Sequence, residues 1–350
     1  MSQLGLTPIP AQPLPGVSYV MPVLNEEAHI RSAVVSLLGQ DYAGPMEVTL
    51  ALGPSADRTN EIVAALCAED PRVKTVDNPA AATPVGMNLA IKASSYPIII
   101  RVDAHSVLPR DYASIAVETM LRTQADNVGG IMDAQGDTPF EKAVARAYDT
   151  KVGLGGTPFH VGGKEGPAET VYLGVFNRES LITVGMFNEE IRRGQDWELN
   201  RRIRDAGGLV WFTPQLRVVY RPRTRFTSLV KQMYSTGLWR GELSRRYGSS
   251  LRYFAPPVMV TATVVGVILG IVGVIQLLAG TYPWGLVGWI VPAVYVSFVL
   301  LASLISGRNM GLKAGLFFPV VLACIHFSWG VGFILSYTRL VSNIAGKSGR

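Results

Sequence analysis

Over the first hundred residues, short apolar runs alternate with stretches whose apolar residues recur at helical spacing. Val17–Val23, Glu47–Leu52, Val73–Val76 and Ile98–Val102 are too short for helices and rich in β-branched residues, so they predict strands. Between them, Ile30, Ala33, Val34, Leu37 and Leu38 share a helical face, as do Ile62, Val63 and Leu66, and Pro84–Ala93 predicts a third helix. Asn25 is placed to cap the first helix, with Glu26 and Glu27 in its first turn. This strand–helix alternation predicts an α/β domain with a mostly parallel sheet. Further on, the pattern predicts a helix from Asp111 to Gln124 and a strand over Val128–Met132. It then predicts a glycine-rich mobile loop over Gly153–Ala168 and a strand over Thr170–Phe176. A helix opens at Gly194, and two strands follow, Leu209–Phe212 and Val218–Tyr220.

The last third changes the picture. Val258–Ala279, Trp284–Ile305 and Gly315–Leu335 carry no Asp, Glu, Lys or Arg, and each has the roughly 20 residues needed to cross a hydrocarbon core. They account for the positive mean hydropathy of +0.26. Phe226–Tyr247, just ahead of them, is amphipathic and basic, suited to a membrane surface. The net charge is +6, but the basic residues crowd into Arg217–Arg252, which points to anionic lipid headgroups or a phosphate-bearing ligand. No nucleic-acid motif accompanies the charge, so nucleic acid is not an expected partner. By the positive-inside rule the first 250 residues and the loop with Arg308 and Lys313 face the cytoplasm. Three spans then put the C-terminus outside, where Arg339, Lys347 and Arg350 fit poorly; a re-entrant third segment would remove that conflict. Cys67 and Cys324 imply no disulfide framework. Met1–Gly16 is proline-rich, lacks a basic-then-apolar signal pattern and reads as an extended lead-in.

Candidate chemistry begins where the Ile98–Val102 strand ends, at Asp103-Ala104-His105. Open α/β sheets bind ligands beyond the carboxyl ends of their strands. A carboxylate and an imidazole there can share a divalent cation with a phosphate oxygen; the alternative is a strand-end Asp capping the next turn beside a surface His. Asp196 is either a catalytic carboxylate or the N-cap of its helix. Asn25 and Glu26 either line a pocket or start a helix. His326, inside the third apolar segment, contacts a lipid-linked substrate or bonds a neighbouring helix.

Several motifs in order resemble a family 2 glycosyltransferase of the GT-A, Rossmann-like fold, over about residues 16–250. They are Met21-Pro-Val-Leu-Asn-Glu-Glu27, Gln40-Asp-Tyr42, Ser55-Ala-Asp-Arg-Thr59 and Gly86-Met-Asn-Leu-Ala90, then Asp103-Ala-His105, Gln195-Asp-Trp-Glu-Leu199 and Gln232–Arg240. The Asp-Ala-His form of the metal motif is similar to that of the membrane-anchored succinoglycan-type branch. The resemblance implies domains at 17–223 (catalytic), 224–254 (amphipathic interface segment) and 255–340 (three transmembrane helices), with a tail at 341–350. It implies donor contacts from Pro22, Asn25, Glu26, Ser55, Asp57, Asn88, Arg101, Asp103, Gln232, Trp239 and Arg240. Asp103 and His105 are the implied ligands of a divalent metal, Mn or Mg, with imidazole favouring Mn. Asp196 is the implied base.

The resemblance further implies inverting transfer of a sugar from a nucleotide diphosphate to a hydroxyl of a lipid-linked or membrane-proximal glycan. The setting is cell-surface polysaccharide or glycolipid synthesis, at a multi-pass membrane protein whose catalytic domain is cytoplasmic. Polyprenyl phosphate as acceptor, or a non-catalytic nucleotide-sugar-binding scaffold, are the competing readings, and an oligomer is compatible with both. Leu52-Gly53 stands where the family has an acid at the end of the second strand, which leaves the base preference open. Gln195 stands where an acid precedes Asp196.

Overall fold

Val17–Val23 (β1) is buried along almost its whole length, which suits an interior parallel strand with helices on both faces. In this computed structural model the described residues are 13–104, 106, 108–248, 250–341 and 344. After β1 come Ile30–Leu38 (α1), Met46–Leu52 (β2), Thr59–Glu69 (α2), Val73–Asp77 (β3), Thr83–Ala93 (α3) and Ile98–Arg101 (β4). Tyr112–Thr123 (α4), Asn127–Ala134 (β5), Pro139–Tyr148 (α5), Pro158–Val161 (α6), Gly166–Pro167 (β6), Tyr172–Asn177 (β7) and Arg178–Thr183 (α7) follow. The remainder is Gln195–Asp205 (α8), Val210–Tyr220 (β8), Phe226–Tyr247 (α9), Ala255–Leu278 (α10), Ile290–Ser306 (α11) and Leu312–Tyr337 (α12). The chain divides into two compact units: residues 1–129, 173–189 and 202–211, and residues 130–172, 190–201 and 212–350.

In the first unit β3, β2, β1 and β4 lie side by side in that order, all parallel, and β7 pairs antiparallel with β4. The alternation expected from the sequence is therefore present. β1 has β2 on one side and β4 on the other, so the order of strands reverses at β1, and the carboxyl ends of β1 and β4 flank a topological switch point. Helix α3 comes close to this sheet because residue 86 is glycine. A Cβ there would lie 2.7 Å from the Asn78 side-chain nitrogen and 3.1 Å from the Pro22 Cβ.

Three local expectations differ. Asn25 does not cap α1, which begins at Ile30 with no acid in its first turn. The two strands expected over 209–220 are one, β8, which runs through Pro214. The 153–168 segment contains α6 and β6. Helices α5 and α7 lie outside the pattern as read above. Yet α5 carries a full capping box, with the Glu141 N–H donating to Thr138 Oγ1 and the Thr138 N–H donating to Glu141 Oε2.

The second unit contains three helical segments long and apolar enough to cross a membrane: 251–278, 284–306 and 312–337. The third is a single continuous helix of 26 residues despite Pro319. Helix α9 does not lie apart as a surface helix. Leu229, Met233 and Leu238 are buried, and its Gly237 sits directly against α12. A Cβ on Gly237 would lie 2.1 Å from the Trp329 carbonyl oxygen, and one on Gly332 of α12 would lie 2.3 Å from the Tyr234 carbonyl oxygen. Glycine inside a helix is unfavourable by about 1 kcal/mol relative to alanine, and backbone contact this close is what it permits. Gly237→Leu is expected to cost about 3 kcal/mol by overpacking. Lower melting temperature and a smaller monodisperse fraction in detergent would register the loss, and an unchanged melting curve would show that the seam tolerates a side chain.

Candidate active site

The first group of candidate residues lies at the carboxyl edge of the parallel strands in the first unit. β1 ends into Asn25, which has a left-handed backbone (φ 56°), a conformation asparagine tolerates better than most residues. Its N–H donates to Ser55 Oγ at 3.0 Å and its Oδ1 accepts from the Ala56 N–H at 2.8 Å. The Glu26 N–H donates to Thr59 Oγ1 at 2.7 Å, the Glu27 N–H donates to Asp57 Oδ2 at 3.2 Å, and Glu27 Oε2 accepts from the Arg58 N–H at 2.8 Å. Two turns some thirty residues apart are thus fastened together. Asp57 also accepts from the Thr59 hydroxyl and N–H, and these bonds hold its carboxyl below the usual range. Asn25, Ser55 and Asp57 therefore build the floor of this edge.

β4 ends into Asp103. Arg101, only 6% exposed, directs its Nη2 to Asp103 Oδ1 at 3.2 Å. The Asp103 side chain remains a quarter exposed. This donor set fits a cation anchored at one hard carboxylate, with further oxygens supplied by a bound diphosphate. Among the described residues no three acidic, histidine or cysteine side chains cluster as a metal site, and His105 lies outside the described residues. Pro22 is partly exposed at the same edge.

Asn88 is engaged within the fold. It is 4% exposed, and its amide is fully engaged. Nδ2 donates to the Phe187 carbonyl oxygen and to Glu189 Oε1, and Oδ1 accepts from the Phe187 N–H. It anchors the 187–189 segment and has no donor left for a nucleotide.

The second group surrounds a cavity of about 790 Å3 in the second unit. Asp196 lines it as the second residue of α8, so it is a first-turn acid and not the helix cap. Gln232 and Arg240 line it from α9. Gln232 Oε1 accepts from the Tyr148 hydroxyl and from Arg223 Nε, each at 3.3 Å, and its Nε2 donates to the Tyr220 hydroxyl at 2.9 Å. The Arg240 guanidinium carbon lies 4.8 Å from the Trp197 ring centre and 4.4 Å from that of Tyr253, within cation–π range of both. Trp239 does not line the cavity. It is 5% exposed in an apolar cluster with Ile191, Trp197, Leu238 and Leu243, and packs there beside Trp197 of α8. Glu198, also buried, is not among the residues that line the cavity.

Each of the three apolar segments contributes to the same cavity, through Met259, through Tyr295 and Phe298, and through Ile325, His326 and Trp329. His326 Nε2 donates to the Val152 carbonyl oxygen at 2.6 Å, so its Nδ1 is the acceptor for the Tyr295 hydroxyl at 3.1 Å. Of its two readings, this geometry gives it the interhelical bond. Tyr148, Trp197 and Tyr253 are site residues that sequence reasoning missed. Trp197 stood in view beside Asp196, whereas no local signal marks Tyr148 or Tyr253.

Residues 18–185 match the profile of Glycosyl transferase family 2. The chain is 31% identical over 330 residues to the succinoglycan biosynthesis protein ExoA of Rhizobium meliloti, covering 92% of this chain and 96% of that protein. It is 24% identical over 242 residues to a dolichyl N-acetyl-alpha-D-glucosaminyl phosphate 3-beta-D-2,3-diacetamido-2,3-dideoxy-beta-D-glucuronosyltransferase of Methanococcus voltae, covering 66% of this chain and 74% of that one. Among solved structures, a mannosyltransferase of Pyrobaculum calidifontis, PcManGT, in complex with GDP-Man and Mn2+, superposes with a TM-score of 0.57 at 18% identity. That match covers 93% of this chain and 91% of the other, a likeness that establishes the GT-A-like fold. The chain belongs to glycosyltransferase family 2.

Proposed function

We propose that this glycosyltransferase moves a sugar, with inversion, from a nucleotide-diphosphate sugar to a hydroxyl of a lipid-linked or membrane-proximal glycan in cell-surface polysaccharide synthesis. The observation that carries this reading is that Asp196 opens onto a cavity also lined by all three apolar helices. An acceptor that reaches this carboxylate while carried on a lipid would use such a lining. The succinoglycan relative supports the polysaccharide setting.

In this mechanism the donor binds at the edge built by Pro22, Asn25, Glu26, Ser55 and Asp57. Asp103, with His105, would hold a divalent cation bound with the donor's diphosphate, and that cation supplies positive charge to the departing phosphate oxygen. Arg101 fixes the Asp103 carboxylate. Asp196 takes the proton of the attacking acceptor hydroxyl. One displacement with one base inverts the anomeric carbon. Residues 17–223 serve as the catalytic domain and 255–340 as the membrane anchor. The interface segment 224–254 is built into the anchor through α9, and the tail 341–350 follows. The basic cluster and the loop with Arg308 and Lys313 support a cytoplasmic catalytic domain and contact with anionic lipids.

The test is turnover of a nucleotide-sugar panel by detergent-purified protein with Mn, with Mg and with chelator. Hydrolysis or transfer from one donor, at least tenfold faster with metal than with chelator, is the expected result. Donor binding that is indifferent to metal and gives no turnover would replace this reading with a nucleotide-sugar-binding scaffold.

A further inference from the structure

From the cavity around Arg240 we infer a binding site for the acceptor's carrier lipid, with the guanidinium gripping its phosphate and the apolar wall receiving its polyprenyl chain. The inference rests on the proposed lipid-linked acceptor and reassigns Arg240 from the donor to that carrier.

Three observations carry it. Arg240 lines the cavity, and its Nη1 is buried with no hydrogen-bond partner among the described residues. No carboxylate forms a salt bridge with it among those residues. Burial pushes its pKa down from the ordinary value, yet a guanidinium stays charged in a protein. A buried cation with an unused donor gains most from an anion delivered to it. Second, the guanidinium packs against the rings of both Trp197 and Tyr253, contacts that hold it in place while its donors remain able to select a planar or tetrahedral oxyanion. Third, the rest of the lining is apolar and aromatic and runs onto the three membrane-length helices through Met259, Phe298, Ile325 and Trp329. One compartment therefore presents a phosphate-binding group and a hydrocarbon-binding wall. A free nucleotide has no use for the wall, and an ordinary apolar ligand has no use for the guanidinium. An isoprenoid phosphate uses both. Two more buried polar atoms without a hydrogen-bond partner, Thr157 Oγ1 and His160 Nδ1, belong to residues on the same lining.

The experiment measures binding of a medium-length polyprenyl phosphate to the full chain in detergent, with chelator and without donor, so that the donor site contributes nothing. Inorganic pyrophosphate and the matching phosphate-free polyprenol are the two controls. Arg240→Gln is expected to weaken binding of the lipid phosphate at least tenfold, and Arg240→Lys to recover only part, because an ammonium cannot stack on the two rings. Phe298→Ser is expected to weaken the lipid phosphate and leave pyrophosphate unchanged. A diazirine-labelled polyprenyl phosphate should label peptides containing Phe298 and Trp329.

Equal affinity for pyrophosphate would reduce the site to a phosphate site and overturn the lipid part. Equal affinity for polyprenol, or wild-type binding by a folded Arg240→Gln protein, would overturn the phosphate part. Failure of lipid binding leaves metal-dependent donor turnover standing. Failure of turnover with lipid binding intact overturns the transferase mechanism and not this site.

Discussion

Asp196→Asn is expected to lower kcat for sugar transfer about 10^3-fold, the middle of the range for loss of a positioned general base. The amide keeps the size of the side chain and can still accept a hydrogen bond, but it does not take the acceptor's proton. α8 presents residue 196 in its first turn, on the cavity lining, so the substitution changes charge without moving the backbone. Donor affinity should change less than threefold, since the lost interaction is made with the acceptor. Single-turnover kinetics with saturating donor is the measurement. A fall of less than tenfold would count against a hydroxyl acceptor and for polyprenyl phosphate, whose oxygen is already anionic and needs no base. A variant as active as the parent would remove Asp196 from the chemistry.

Asp103→Ala is expected to abolish the response to Mn and Mg and to reduce transfer at least about 10^2-fold, as when charge stabilisation of a leaving group is withdrawn. The position follows from the sheet. β4 ends beside β1, where strand order reverses, and Asp103 emerges there with Arg101 on its Oδ1. Because removing the carboxylate also alters the surroundings of a nearly buried Arg101, Asp103→Asn is the companion variant. It retains an oxygen for the guanidinium while losing the negative charge a cation requires. Both variants should bind donor alike in chelator and differ from the parent only when metal is added, read by calorimetric titration of Mn in the presence of donor. A metal titration identical to that of the parent protein would remove Asp103 as a ligand.

Much of this was legible in the sequence because it is written within short windows. The apolar runs of β1, β2 and β4 announce buried parallel strands, and the uncharged segments after residue 255 announce membrane-length helices whatever surrounds them. Asp103 could be nominated because it follows the end of such a strand, and the topology of an open parallel sheet brings strand ends to one edge; Ser55 and Asp57 came only with the family resemblance. The capping box of α5, Thr138 with Glu141, was equally local and equally readable.

What the sequence did not reveal depends on partners far along the chain. Asn25 looks like a helix cap from its neighbours alone; its actual partners are Ser55 and Ala56. Asn88 sits in a donor-like motif, but its amide is committed to residues about a hundred positions away. The basic, amphipathic pattern of α9 suggested a helix on a lipid surface, and the glycine that lets it pack on α12 is visible only when both backbones are in place. The chain pattern by itself determined the α/β alternation, the three apolar helices and the strand-end carboxylate Asp103, because periodicity, length and charge act within one element. The tertiary structure decided which polar groups are spent on the fold and that Asp196, Arg240 and the apolar helices share one cavity. Those outcomes depend on long-range packing and on the need to satisfy every buried donor and acceptor, and neither is encoded in any single window of sequence.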